Sequence, residues 1–375
     1  MKDSGELDFL FINAGITLRP SGGFEITYKL ASALRDKGYS VGILFIRDIF
    51  RNLSRIYPDE SLKNYVRKNL AYSVFSNIVN HRAGIIPLIL MRKFLKINYN
   101  EEFNGIKLFF SNGEKPIHAH YLIANGWHTS LVMSEWKTNG KKYIFLQQDD
   151  SDERWNPSLS SIAHTALTFG IPIISTNNSV TNTYRNYVVG QIPLSIDNNF
   201  FKCYISPEKR DDKNILLPLR RQAYKGARLG LEIISSIHKE DPTITIHSFG
   251  DLPQSTVPDY VHHHGIVNNE HLSELYNQAA IFILPSLVEG YGLTALEAMA
   301  CGAALVTTDN EGIREFVKNG INGIVSKQFD PIEIAGLVEE LISNKQYRYK
   351  LVKEGIKTGA RHNLDFMVNS FLGMF

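Results

Sequence analysis

Residues 285–315 of this 375-residue chain read PSLVEGYGLTALEAMACGAALVTTDNEGIRE, and this stretch decides the fold. The apolar run 281–284 before it predicts a buried strand that ends at Pro285. A short polar loop follows, and residues 293–301 have the composition of a helix that begins directly after Gly292. The stretch therefore predicts a strand, a glycine loop and a helix, the repeating unit of a parallel α/β sheet.

The glycine loop also predicts an anion site. Gly290 and Gly292 leave bare backbone amides beside a helix N-terminus, whose positive dipole end favours phosphate. Glu289 lies on the loop, and Glu297 lies roughly one turn inside the helix. Carboxylates do not hold phosphate but accept hydrogen bonds from hydroxyl groups. We therefore predict a ribose and a sugar on either side of the phosphates; the alternative for Glu297 is an ordinary exposed helix carboxylate.

The spacing of the two glutamates, eight positions apart, closely resembles that of the retaining glycosyltransferases of family 4. That family has the GT-B fold, an α/β architecture of two Rossmann-like doubly wound parallel-sheet domains facing each other across a cleft. The resemblance is densest over residues 213–355. It implies that Glu289 and the glycine-loop amides contact the donor sugar, and that Glu297 binds the ribose. The implied donor-binding set in this stretch is Gly290, Tyr291, Gly292, Leu293 and Glu297.

A dinucleotide-binding oxidoreductase of the NAD type is the alternative for the same residues. Gly290, Gly292 and Ala295 match the spacing of the dinucleotide fingerprint, and Asp309 follows about twenty residues later. In that motif the first glycine follows its strand almost directly. Here four residues separate Pro285 from Gly290, so the fit is loose.

Composition and charge limit the remaining classes. The length exceeds that of a usual single core, so we predict two domains. A net charge of +2 gives no argument for nucleic acid. Only Cys203 and Cys301 occur, far apart in sequence, which predicts a reducing compartment without a disulfide framework. The first residues lack an apolar signal region, and no apolar run approaches the ~20 residues that span a bilayer, so we predict a cytoplasmic protein.

Two further segments resemble parts of the family that approach the donor. Gly22 and Gly23 precede a predicted helix in the first glycine loop, which in the family lies near donor phosphate and acceptor. Gly265 and Ile266 fall in the loop near the nucleobase. By the resemblance, residues 1–200 form an acceptor-binding domain and residues 201–358 a donor-binding domain. Residues 359–375 form a terminal helix that crosses back to the first domain.

A basic pair follows the predicted strand 214–218. Arg220 and Lys225 match the family residues that hold the donor diphosphate, and a loop Arg and Lys supply positive charge opposite a helix N-terminus. With Glu289 they are the predicted catalytic residues, because charge grows on the leaving diphosphate. Arg221 is an alternative to Arg220, and solvated surface side chains are the alternative for the pair. Lys225 has no obvious buried partner in the sequence.

The sequence departs from the family in two places. A donor-facing His is common after the strand equivalent to residues 143–146, and here Gln147 and Gln148 follow. This text is reminiscent of a rhamnosyltransferase-like branch, and which glutamine faces the donor stays open. Residues 310–312 read Asn-Glu-Gly where the family often has a glycine pair, so the fine shape of the sugar pocket differs.

Two groups of side chains suggest metal ligands, and we predict no metal site in either. Consecutive strand positions alternate between the two faces of a sheet, so three consecutive histidines cannot ligate one ion; they are His262, His263 and His264. A second group resembles the Asp-x-Asp motif of the other glycosyltransferase fold; it comprises Asp149, Asp150 and Asp152. Arg220, Lys225 and a helix N-terminus already meet the diphosphate charge.

The basic insertion 47–115 is predicted either to pack on the acceptor side or to lie on an anionic membrane surface. Taken together, the residues and the family resemblance imply a metal-independent, Leloir-type hexosyltransferase that needs no cofactor. It would move a sugar, with retention, from a nucleoside-diphosphate donor to a hydroxyl of a glycan or lipid-linked acceptor. The location is the cytoplasm, or the inner face of the cell membrane if the insertion binds lipid. A non-catalytic sugar-nucleotide-binding partner of the same fold is a further alternative.

Overall fold

A computed structural model of the chain describes residues 6–14, 22–46, 49, 53, 104–111, 113–154 and 159–375. The chain divides into two compact units. The first comprises Met1–Ile192 with Met367–Phe375, and the second comprises Pro193–Phe366. The sequence placed these boundaries after residues 200 and 358. The predicted basic insertion 47–115 lies mostly outside the described residues.

The first unit is a doubly wound parallel sheet of seven strands in the order β3-β2-β1-β4-β5-β6-β7. Strands such as β2 are buried along their whole length, which is typical of parallel sheets covered on both faces. Its described elements are β1 (Leu7–Asn13), α1 (Gly22–Asp36), β2 (Val41–Ile46), β3 (Lys107–Ser111), β4 (Ala119–Asn125), α2 (Trp127–Ser134), β5 (Lys141–Leu146), α3 (Ser160–Leu167), β6 (Ile173–Ser175), α4 (Asn178–Thr183) and β7 (Val188–Gln191).

The second unit is a parallel sheet of six strands in the order β10-β9-β8-β11-β12-β13. Its elements are β8 (Asn214–Pro218), α5 (Ala227–Glu240), β9 (Thr245–Phe249), β10 (Val261–His263), α6 (Asn269–Gln278), β11 (Ile281–Leu284), α7 (Leu293–Ala300), β12 (Ala304–Thr308), β13 (Ile324–Ser326), α8 (Pro331–Ser343) and α9 (Lys345–Arg361). The two doubly wound sheets confirm the predicted fold class. The order reverses between β8 and β11, and ligands of such sheets bind beyond the carboxyl ends of the strands at this switch point.

The end of the chain forms α10 (Leu364–Leu372), separate from α9. Its last residues belong to the first unit. Phe371 is fully buried, with its ring centroid 5.7 Å from that of Phe9. The Phe375 ring lies 4.5 Å from Tyr121 on β4. Apolar burial therefore fixes this helix, as its apolar spacing predicts. No described helix is both long enough and apolar enough to cross a membrane.

Candidate functional site

Two loops meet at the switch point of the second unit. The strands β8 and β11 are neighbours, with Ile281 paired to Ile215. The loop after each strand continues beside the other, because the backbone carbonyl of Tyr224 accepts hydrogen bonds from the amides of Leu287 (2.8 Å) and Val288 (3.2 Å). These bonds tie the loop of the predicted basic residues to the loop of the first predicted carboxylate.

The tie brings Lys225 and Glu289 into a direct ion pair. Lys225 Nζ lies 2.8 Å from Glu289 Oε2, and the two side chains are 25% and 9% exposed. The expectation that Lys225 lacks a buried partner is therefore wrong. The ammonium also lies 5.5 Å from the centroid of the Tyr224 ring. An ammonium has three donors, so a bond to Glu289 leaves capacity for phosphate oxygens.

Glycines make this close approach possible. Gly226 has φ 69° at the start of α5, and a Cβ there would meet the carbonyl oxygen of Pro285 at 1.9 Å. Gly292 has φ 90° at the start of α7. A Cβ on Gly312 would lie 2.7 Å from the amide nitrogen of Tyr291 and 2.8 Å from the carbonyl oxygen of Glu289. Two helix N-termini therefore begin at glycines beside the ion pair, where they favour an anion.

The Asn-Glu-Gly sequence at residues 310–312 supports the same loop. Asn310 is buried, and its Nδ2 donates to the Ser286 carbonyl at 3.2 Å. Its Oδ1 accepts from the amide of Ile313 at 3.2 Å. The asparagine thus joins the loop after β12 to the loop after β11, and Gly312 leaves room for Glu289 and Tyr291. The departure from a glycine pair adds a side-chain bridge here.

The structure distinguishes the two candidate arginines. The guanidinium of Arg220 lies 6.0 Å from the Phe249 ring centroid. Burial raises the pKa of Tyr224 first and the charge of Glu289 raises it further, while the charge of Arg220 lowers it. Arg221 is exposed, and its Nε donates to the carbonyl of Asp251 at 2.8 Å. Arg220 therefore lies near Phe249 and acts electrostatically on Tyr224, whereas Arg221 contacts a neighbouring loop.

Glu297 lies in α7 and accepts a hydrogen bond from a buried side chain of α6. The hydroxyl of Tyr276 donates to Glu297 Oε2 at 3.3 Å, and Tyr276 is fully buried. Burial raises the pKa of Tyr276 well above its usual value, and the charge of Glu297 adds to the shift. Glu297 is half-buried. The alternative of an ordinary exposed helix carboxylate therefore does not describe its surroundings, and its contact with Tyr276 was not predicted from the sequence.

The loop predicted near the nucleobase follows β10. Gly265 has φ 64°, its carbonyl accepts from the amide of Gly250 at 2.7 Å, and Ile266 is 59% exposed. The histidines before it have separate partners: His263 Nε2 contacts the Leu252 carbonyl at 3.1 Å, and His264 Nε2 lies 3.0 Å from His247 Nδ1. In the described segments no three His, Cys, Asp or Glu side chains are arranged to hold a metal ion.

In the first unit, Gly23 and Gln147 come together. Gln147 Nε2 donates to the Gly23 carbonyl at 2.8 Å and to Asn125 Oδ1 at 3.3 Å. Asn125 Nδ2 in turn donates to Asn13 Oδ1 at 3.2 Å. Gly22 begins α1. These amide side chains lie at the carboxyl ends of β1, β4 and β5. The strand order of this unit reverses between β1 and β4, and ligands of such sheets bind at that point. Their position at these strand ends was the signal that could have identified Asn13 and Asn125.

The carboxylates of the acidic loop at residues 149–152 form hydrogen bonds within the first unit. Gln148 Nε2 donates to Asp150 Oδ1 at 2.9 Å, so Gln148 is turned away from Gly23. Burial raises the pKa of Asp150 to about 6. Asp149 Oδ1 accepts from the hydroxyls of Ser151 (2.7 Å) and Tyr184 (3.0 Å). The carboxylate of Asp152 is bonded to Arg154. The three carboxylates therefore have different partners.

Known proteins resemble the chain in both sequence and fold. The N,N'-diacetylbacillosaminyl-diphospho-undecaprenol alpha-1,3-N-acetylgalactosaminyltransferase of Campylobacter jejuni is 22% identical over 238 residues, 58% of this chain and 63% of that enzyme. The chain thus spans less than two thirds of that relative. The sucrose-phosphate synthase of Thermosynechococcus elongatus superposes with a TM-score of 0.68 at 16% identity, covering 98% of this chain and 97% of that one.

The Anabaena protein HepE, in complex with UDP and glucose, superposes with a TM-score of 0.66 at 14% identity, covering 98% of this chain and 99% of its own. At such identities these structures bear on the fold alone, and they agree with the predicted GT-B class. The matches do not favour an oxidoreductase. Residues 205–358, which lie within the second unit, match the family model described as Glycosyl transferases group 1.

Proposed function

We propose that this protein is a retaining glycosyltransferase, which moves a sugar from a nucleoside-diphosphate donor to a hydroxyl of a glycan or lipid-linked acceptor. The observation that carries the proposal is the ion pair of Lys225 and Glu289, 2.8 Å apart between two glycine-started helices. A cation, helix N-termini and a carboxylate converge there. Such a set suits a diphosphate joined to a hydroxyl-rich sugar.

In the proposed reaction, the bond between the anomeric carbon and the diphosphate oxygen breaks, and its electron pair remains on the diphosphate. Lys225, Arg220 and the amides that start α7 stabilise the growing negative charge, which makes metal unnecessary in this proposal. The acceptor oxygen bonds to the anomeric carbon on the same face, and its proton passes to the leaving diphosphate. Glu289 accepts hydrogen bonds from the sugar and holds Lys225.

Two similar proteins support the proposed substrates. HepE was solved with UDP and glucose, which supports a nucleoside-diphosphate hexose donor. The name of the Campylobacter jejuni relative contains diphospho-undecaprenol, which supports a lipid-linked acceptor. We propose on this basis that the protein works at the inner face of the membrane. Co-sedimentation with anionic vesicles should occur at low salt and fall at high salt; no binding at low salt would favour a soluble acceptor.

A thermal-shift screen of UDP-, GDP-, ADP- and dTDP-sugars tests the function. A ligand at ~100 times its dissociation constant adds ~2.7 kcal/mol of stability. The donor that binds is then incubated with candidate acceptors, and the anomeric configuration of the product is read by NMR. Stabilisation by NAD or NADP alone would support the oxidoreductase alternative. Donor binding without turnover on any acceptor would support a non-catalytic partner, and an inverted product would remove the retaining mechanism.

A further inference from the structure

We propose that Tyr276 is a positioning residue, which orients the Glu297 carboxylate for recognition of the donor ribose. The inference rests on the proposed function and deepens it. Tyr276 is on α6 and Glu297 is on α7, and their side chains meet through the 3.3 Å bond from hydroxyl to Oε2. A hydrogen bond to a charged group is among the stronger ones in proteins, so it can select one orientation of the carboxylate.

The Tyr276 ring is immobilised on several sides. Its centroid lies 5.3 Å from that of Phe282 and 6.0 Å from those of Phe249 and Phe201. The rings are nearly perpendicular, at 82°, 88° and 67°, which are the edge-to-face arrangements that aromatic pairs prefer. With the ring also fully buried, the position of the hydroxyl oxygen is fixed. The hydroxyl oxygen therefore offers the Glu297 carboxylate a hydrogen-bond donor at a fixed place.

The bond also has a constant polarity. Burial keeps the Tyr276 phenol protonated because its pKa is far above the usual value. The hydroxyl is then the donor to the Glu297 carboxylate. A carboxylate offers about four acceptor positions, so one tyrosine bond can fix it while ribose hydroxyls bond elsewhere on the group. Tyr276 itself needs no contact with the nucleotide.

The same aromatic cluster supports the diphosphate end of the site. Phe249 packs against the Tyr276 ring, and the guanidinium of Arg220 lies 6.0 Å from the Phe249 centroid. One residue proposed for the ribose and one proposed for the diphosphate therefore lie against the same cluster of buried rings. A change limited to the Tyr276 hydroxyl leaves this support intact, so it isolates the ribose contribution.

The test uses Tyr276→Phe, which removes the hydroxyl and keeps the ring. Tyr260→Phe is the matched control, since it removes a tyrosine hydroxyl from the same unit and keeps a ring that stacks on His238. Dissociation constants of UDP, GDP and ADP are measured by calorimetry for each protein. We expect Tyr276→Phe to weaken the best-bound nucleotide about threefold to tenfold, with no change in the control.

The 2′-deoxy and 3′-deoxy forms of that nucleotide distinguish positioning from a general structural effect. Removing from the nucleotide the ribose hydroxyl that donates to Glu297 should weaken binding to the wild type. The same removal should have much less effect on binding to Tyr276→Phe. Glu297→Gln, which keeps the tyrosine, should show the same reduced sensitivity. The inference would be overturned if the deoxy nucleotides lost equal affinity for wild type and for Tyr276→Phe. It would also be overturned if these two proteins bound the intact nucleotide with equal affinity. If the wild type binds none of the nucleotides, the proposed function fails as well.

Discussion

The replacement Lys225→Met tests whether the cation of the site also stabilises the fold. It removes the ammonium and leaves a chain of similar length, so the 9% exposed carboxylate of Glu289 loses the partner at 2.8 Å. Breaking a fully buried ion pair costs about 3 to 5 kcal/mol, and exposed pairs contribute about 0.2 to 1 kcal/mol. Because Lys225 is 25% exposed, we expect an intermediate loss of about 2 kcal/mol.

Melting curves of four proteins measure this loss. For a domain of 150 to 250 residues, about 2 kcal/mol corresponds to a fall of about 4 to 8 °C in the melting temperature. Glu289→Gln removes the opposite charge. The double variant Lys225→Met/Glu289→Gln leaves no unpaired charge, so its melting temperature should lie well above that of Lys225→Met. A melting temperature that is the same in Lys225→Met and wild type would refute the stabilising role.

Donor turnover separates stability from catalysis in the same variants. The double variant recovers stability but not the positive charge that faces the diphosphate. One charge-assisted hydrogen bond is worth about 1.5 to 3 kcal/mol in the transition state, a rate loss of about tenfold to hundredfold. Lys225→Arg should restore turnover only in part, because a planar fork replaces a point charge. Wild-type turnover in the double variant would remove Lys225 from the reaction.

Three other expectations are open to direct measurement. Titration calorimetry should show that Glu297→Ala weakens donor and free nucleoside diphosphate alike, whereas Glu289→Ala weakens mainly the donor; equal losses throughout would mean that the roles are divided wrongly. Turnover should survive EDTA, and a loss that magnesium or manganese restores would contradict metal independence. Burial first, and then His264 and His262, lower the pKa of His247 to about 4. Its unfolded-state pKa is higher, at about 6.5, so stability is lost as pH falls from about 6.5 towards 4. His247→Gln should therefore reduce the fall in melting temperature between pH 7 and 5, whereas the exposed control His118→Gln should not.

The fold was predictable because its signals are local. Apolar runs mark the strands, and a glycine loop with a following helix marks each βα unit, as in residues 281–300. The pairing of Lys225 with Glu289 could not be predicted, because the two residues are 64 positions apart in the sequence. Each has a local pattern of its own, yet only the adjacency of β8 and β11 brings them together. A single sequence carries no direct signal for that adjacency.

The hydrogen bonds among the side-chain amides of the first unit could not be predicted from the sequence for a different reason. Asn is common at strand ends because its side chain bonds local backbone, so residue type alone does not distinguish Asn13 and Asn125 from ordinary turn residues. Gln147 was identified only through a departure from a family pattern. The sequence could not tell which of Gln147 and Gln148 contacts the glycine loop of α1. That depends on side-chain direction, because consecutive residues at a strand end point to different sides. Gln147 donates to the Gly23 carbonyl, and Gln148 donates to Asp150.

The arrangement around Glu289 indicates why one carboxylate has two tasks in the proposed function. Gly226 and Gly312 let the neighbouring loops approach so closely that any Cβ would collide with backbone, at 1.9 Å and 2.7 Å. In the ion pair that results, Lys225 is 25% exposed and Glu289 is 9% exposed, so the carboxylate is the more deeply buried partner. Glu289 accepts from Lys225 through one of its oxygens. We infer that its acceptor capacity for sugar hydroxyls and its hold on Lys225 cannot be separated by mutation of Glu289 alone, because removing the carboxylate always releases the cation as well.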